Sequence, residues 1–143
     1  MLKFLDSYAR RGVRMWALST GNQPSDAYTF KNSNVTMGWT FETMANWIAN
    51  NLGPTLASSS HHDTHIMAFD DNRSTLTRFA EPIFMHGNSG RYTAGVGVHW
   101  YEDGVTRATV LDETHNRYPE KFIMMTEASQ GEFFTRYLII SYM

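Results

Sequence analysis

Four short apolar runs alternate with stretches of helical periodicity, and that order constrains the fold more than any other property of the chain. The runs lie near residues 13–18, 65–69, 94–99 and 121–126. Ahead of the first, Leu2, Leu5, Tyr8 and Ala9 mark one face of a helix, with Gly12 as its stop. Residues 19–39 read as a long polar loop rich in Gly, Asn, Ser and Thr. Thr40 then caps a helix carrying Phe41, Met44, Ala45, Trp47 and Ile48, which ends near Leu52-Gly53-Pro54 with a further turn to Leu56. Ser74 opens a helix with Leu76, Phe79, Ala80 and Ile83. Residues 105–117 read as another that stops before Pro119, and a last one covers 132–142. Strands alternating with helices in this way predict parallel βαβ units, an α/β fold.

The strand ends are polar in every case. They offer Asn22 and Gln23, then Asp70 and Asp71, then His99 and Tyr101, and last Glu127. A (β/α)8 TIM barrel keeps its chemistry at the C-terminal ends of its strands. A doubly wound open sheet gathers residues there too. In that fold, however, a glycine-rich turn should feed the first strand directly into a helix N-terminus. Thr20-Gly21-Asn22-Gln23-Pro24 is not such a turn, and the next predicted helix begins only at Thr40. A closed barrel takes about 250 residues. Four βα units in 143 residues predict a partial barrel, so a fragment is expected, with raw sheet edges.

The bulk properties narrow the function classes. A chain that is 42% hydrophobic and 18% charged suits one globular domain. A formal net charge of -2 gives no electrostatic footprint for nucleic acid or an anionic membrane. Cysteine is absent, which removes disulfides and thiolate metal sites and leaves the redox compartment open. Met1-Leu2-Lys3-Phe4-Leu5-Asp6 lacks the apolar core of a signal peptide. Two glycosylation sequons, at Asn34 and Asn72, lean towards the secretory pathway.

Several separate motifs, in order, resemble the glucosylceramidases of glycoside hydrolase family 30. They are Asn50-Asn51-Leu52-Gly53-Pro54-Thr55-Leu56, His61-His62, Asp70-Asp71-Asn72-Arg73, Val98-His99-Trp100-Tyr101, Glu113-Thr114-His115 with Pro119, and Thr126-Glu127-Ala128. The register holds from about Leu2 to Gly131, so residues 1–131 are expected to be the barrel fragment and 132–143 a divergent tail. The resemblance implies a retaining β-glucosidase that hydrolyses glucosylceramide in the lysosome, aided by an activator protein at a membrane surface, without a cofactor. It places Glu127 as nucleophile and Gln23 at the acid/base position. Asn22 would hold the sugar 2-hydroxyl and Tyr101 would stand beside the nucleophile. His99, Trp100 and Asp71 would line or back the cleft.

Three departures from the family pattern stand out. Gln23 replaces a glutamate, the loop from Ser25 to Met37 lacks an aromatic pair that would meet the aglycone, and the tail after Gly131 diverges. The first matters most, because a retaining glycosidase needs two carboxyl groups about 5–5.5 Å apart. One attacks the anomeric carbon, and the other protonates the leaving oxygen and then activates water. Without the resemblance, Glu127 reads equally as a solvated strand-end carboxylate. His61, His62 and His65 invite a metal reading, but they straddle a loop and a strand start with no partnering Glu, and no metal is expected. Of the tryptophans, Trp16 and Trp47 are expected in the core, Trp39 beside the loop, and Trp100 at a strand end as a sugar platform.

Overall fold

The structure, a computed structural model, describes residues 1–29 and 35–129. Helix α1 (Leu2–Ala9) leads into strand β1 (Ala17–Ser19), followed by a short helix α2 (Asp26–Thr29). Helix α3 (Phe41–Trp47) continues through a π turn, Ile48–Leu52, into α4 (Gly53–Ala57). Strand β2 (His65–Asn72) is followed by α5 (Leu76–Met85) and α6 (Ser89–Tyr92), and β3 (Thr93–His99) by α7 (Thr109–Arg117) and β4 (Phe122–Glu127). The four strands form one parallel sheet in the order β1-β2-β3-β4. Each strand therefore sits beside its successor in sequence, with helices in the crossovers, as half of a (β/α)8 barrel requires.

The sheet curls. Neighbouring strands lie about 4.8 Å apart, so β1 and β4 in a flat sheet would be about 14 Å apart. Yet the ring of Trp16, just before β1, sits 5.0 Å from that of Phe122 on β4. The concave face carries Trp16, His65, Phe122 and two glycines of β3. The convex face carries Ile66 and Ala68 of β2 and Val96 and Val98 of β3. These pack on Leu5, Met44, Ala45, Ile48, Leu52, Leu56, Leu76, Ala80 and Ile83 of the helices, and together they form the buried core. Burying aliphatic side chains of this kind is worth about 1.5–3 kcal/mol each.

The predicted elements stand, with changed limits. Strand β1 begins at Ala17 rather than Val13, because Val13–Met15 run as coil and Trp16 bends the chain. Thr40 does cap α3, accepting from the Thr43 N–H while the Thr43 hydroxyl returns the bond to the Thr40 N–H. The further turn expected to Leu56 is present as α4, which ends at Ala57. Pro54 falls in the first turn of α4, where a missing N–H costs little. The expected polar loop of residues 19–39 contains α2, and α7 starts at Thr109 rather than 105. The expected helix at 132–142, and the tail containing it, lie outside the described residues.

Candidate active site

All four strand ends meet around one carboxylate. Strand β2 breaks register with β3 between Phe69 and Asp71. There Phe69 and Asp70 both adopt positive φ, 72° and 57°. This bulge turns the Asp70 side chain onto the concave face. Asp70 Oδ1 accepts from Thr126 Oγ1 of β4 at 2.6 Å and from His99 Nε2 of β3 at 3.2 Å. Asp70 Oδ2 accepts from the Ser19 hydroxyl of β1. Burial pushes the Asp70 carboxyl up, but the hydrogen bonds from His99, Ser19 and Thr126 and the charge of His99 outweigh it. The group is held below its ordinary 3.8. Gly97 makes room for this cluster, since a Cβ there would lie 2.7 Å from Asp70 Oδ1 and 2.9 Å from Thr126 Oγ1.

Glu127 stands next along β4 with 40% of its side chain exposed. The Tyr101 hydroxyl donates to its Oε1 at 2.6 Å and lies 3.1 Å from Ser129 Oγ. Partial burial, and then the bond to Glu127, push the Tyr101 phenol above its ordinary 10.0, so it stays a donor across the neutral range. His99, 1% exposed, lies with Nε2 3.9 Å from Glu127 Oε2. Glu127 is thus held on one oxygen by a phenol and approached at the other by an imidazole.

The end of β1 is tied to the same place through the backbone. The Gln23 N–H donates to the Asp70 carbonyl at 2.9 Å, and Gln23 itself has φ 42°. Asn22 is braced on the next segment, with its Nδ2 on the Val35 carbonyl at 3.1 Å and its carbonyl accepting from the Met37 N–H at 2.9 Å. Trp39 donates Nε1–H to the Thr20 carbonyl at 3.2 Å. Asp71 is fully buried and accepts from the Ser25 N–H at 2.8 Å and the Asn72 N–H at 2.7 Å. Through the Ser25 N–H it holds the turn after Gln23. Asp26, on α2, has its carboxyl pushed up by burial and by the nearby charges of Asp71 and Glu102, against a smaller pull from His99.

A sheet half-barrel with a tyrosine-held glutamate at one strand end and an Asn-Gln pair at another has close relatives. The profile of the glycosyl hydrolase family 30 TIM-barrel domain matches residues 1–139. This chain belongs to glycosyl hydrolase family 30. Its family 30 relatives include putative glucosylceramidase 1 of Caenorhabditis elegans, 41% identical over 91% of this chain and 25% of that protein. Lysosomal acid glucosylceramidase of Mus musculus is 37% identical over 93% of this chain and 26% of that protein. The chain therefore spans about a quarter of the length of the curated relatives it matches. In fold it is similar to an endo-beta1,6-glucanase, with a TM-score of 0.79 at 23% identity over 92% of this chain and 28% of that one.

The family 30 chain brings Glu127, Tyr101 and His99 together. Gln23 reaches the cluster through the Asp70 carbonyl, Asn22 is tied instead to Val35 and Met37, and Trp100, next to His99 in the chain, is 37% exposed. Two expectations are corrected. Trp16 is 53% exposed, because the core lies on the convex side while Trp16 faces the concave one, against His65 and Phe122. Asn72 is 6% exposed at the end of β2, so its sequon is not presented for glycosylation; Asn34 lies outside the described residues. The histidines near β2 do not converge. His61 pairs with Asp6 at 2.8 Å, His62 bonds the Ser59 carbonyl at 3.2 Å, and His65 packs on Trp16. Among the described residues no group of metal-binding side chains forms. Sequence reasoning placed Asp70 at a strand end without its partners, and gave no role to Ser19, Thr126 or Ser129. The strand-end Asp pair and the Gly-interrupted β3 were the signals available.

Proposed function

We propose that this chain is the part of a glucosylceramidase-type retaining β-glucosidase that carries both catalytic stations, with Glu127 as nucleophile and Gln23 at the acid/base position. The observation that supports this best is the setting of Glu127. It is a half-exposed carboxylate at the C-terminal end of β4, oriented by the Tyr101 hydroxyl at 2.6 Å. A carboxylate held on one oxygen keeps the other for attack on an anomeric carbon, and the strand end is where this fold places chemistry. The Tyr101 bond also draws charge from Glu127 when the glycosyl ester must break. Asn22 would hold the sugar 2-hydroxyl, and Trp100 would stack on a sugar ring. The substrate class is a β-glucoside, glucosylceramide by likeness to the named relatives. The compartment would be the lysosome, with an activator protein at a membrane surface.

Gln23 alters the outcome. In glycosylation the Glu127 oxygen bonds the anomeric carbon while the aglycone oxygen leaves, and that oxygen needs a proton. An amide cannot deliver it, nor take a proton from water in the second step. General acid/base catalysis is typically worth about 10²–10⁴-fold, so turnover of a lipid glucoside is expected to be close to zero. A leaving group that needs no proton escapes the first restriction. With 2-deoxy-2-fluoro-β-glucosyl fluoride, Glu127 should form a lasting ester as fluoride departs, read as a mass increase on the Glu127 peptide. Gln23→Glu should raise turnover of an aryl β-glucoside by about 10²–10⁴-fold. Absence of any label on Glu127, with no gain from Gln23→Glu, would sink the reading. A second reading, a glycolipid-binding protein without turnover, is favoured by Gln23 itself. Glucoside binding without labelling is its signature.

A further inference from the structure

We propose that Asp70 is a positioning residue for both stations, its main-chain carbonyl fixing Gln23 and its charge holding the His99 Nε2–H away from Glu127. The inference rests on the reading of Glu127 as nucleophile. Its geometric basis is separate. One residue reaches every strand end: Ser19 on β1, His99 on β3 and Thr126 on β4 through the carboxylate, and Gln23 through the carbonyl at 2.9 Å. Thr126 and Gln23 are, respectively, the neighbour of the proposed nucleophile and the acid/base position. Two consecutive non-glycine residues at positive φ, Phe69 and Asp70, are costly and persist only where the surroundings over-determine them. Both the side chain and the carbonyl of Asp70 are committed in this conformation.

The charge has its own part. His99 is buried, and its Nδ1 has no hydrogen-bond partner among the described residues. Its other nitrogen, Nε2, faces two carboxylates, Asp70 Oδ1 at 3.2 Å and Glu127 Oε2 at 3.9 Å. A donor placed between two acceptors goes to the one that is nearer and charged. While Asp70 is ionised, His99 is bound to it and gives no hydrogen bond to Glu127 Oε2. Without that charge, Glu127 is the remaining carboxylate among the described residues within 4 Å of His99 Nε2, and the imidazole N–H turns to it. A carboxylate that accepts a second strong hydrogen bond is a weaker nucleophile.

Asp70→Asn separates charge from shape. An amide oxygen at the Oδ1 position still accepts from Thr126 and His99, and the amide nitrogen can donate to Ser19. The experiment compares the unaltered protein with Asp70→Asn by circular dichroism, by the ¹H-¹⁵N signals of the His99 ring, and by the rate of labelling with 2-deoxy-2-fluoro-β-glucosyl fluoride. The variant is expected to keep the native dichroism spectrum, to move the His99 Nε2–H signal, and to label about tenfold or more slowly, the scale of one charge-assisted hydrogen bond. An unmoved signal with an unchanged labelling rate overturns the proposal, since a purely structural aspartate would behave so. If the unaltered protein takes no label and Gln23→Glu brings no gain, the nucleophile reading falls. The His99 signal then decides for Asp70, movement supporting it and constancy refuting it. If Asp70→Asn does not fold, Thr126→Val removes the competing donor on Oδ1. The His99 signal should then move the opposite way, towards a stronger bond, and its failure to move overturns the proposal.

Discussion

Asp70 shows how little a residue's type says about its job. Its neighbour Asp71 has the same side chain and is also buried, yet it accepts from the backbone N–H groups of Ser25 and Asn72. Asp70 collects side chains from three other strands. The difference is one bulge, which turns successive carboxylates to opposite duties. The lowered Asp70 carboxyl has a consequence for acid stability. A group whose folded-state value lies below its unfolded value stabilises the fold fully above the unfolded value, here about 3.8, and loses that contribution as pH falls through the folded one. Urea titrations should show unaltered protein more stable than Asp70→Asn at pH 6, with the gap closing towards pH 2. A gap independent of pH would mean that shape, not charge, is what the variant lost.

Among the elements, β3 is the one whose sequence is most constrained by its neighbours. Its glycines alternate, so both face the concave side, and each makes space for something specific. At Gly95 a Cβ would lie 2.4 Å from the Phe122 ring and from the Phe122 carbonyl oxygen. At Gly97 it would meet Asp70 and Thr126. Helix α3 illustrates the reverse case, where the demand is local: the Thr40–Thr43 capping box needs no partner outside its own turn. Gly95→Ala should therefore cost more than Thr40→Ala in chemical denaturation. The expected losses are about 2–3 kcal/mol or more for overpacking against backbone and about 1 kcal/mol for the cap. Equal losses would show that β4 can shift away from β3.

For the molecule as a whole, curvature matters more than content. Four parallel strands with helices on the convex side bury one face of the sheet and leave the other lined by Trp16, His65 and Phe122. Among the described residues β1 and β4 each pair on one side only. A half-exposed tryptophan at 53%, beside unpaired strand edges, is a template for association. Purified alone, the 143-residue chain is expected to self-associate with rising concentration in sedimentation velocity, and Trp16→Glu should weaken that. A strictly monomeric species across concentrations would contradict this account of the concave face.

The alternation of strand and helix, the parallel order, the cap at Thr40 and the polar strand ends are all local properties, and the sequence alone determined them. Periodicity and turn chemistry act within a few residues, so one chain suffices to read them. The same holds for the placement of Glu127 at the end of β4 and of Tyr101 two residues past β3. The limits of β1, the outward turn of Trp16 and the burial of Asn72 depended on which face of the sheet the helices cover. The cluster at Asp70 depended on more still. It needs a register break in β2, two positive φ values, and a missing Cβ at Gly97, on strands dozens of residues apart. Such a meeting is made by strand packing, and no pattern along a single strand encodes it.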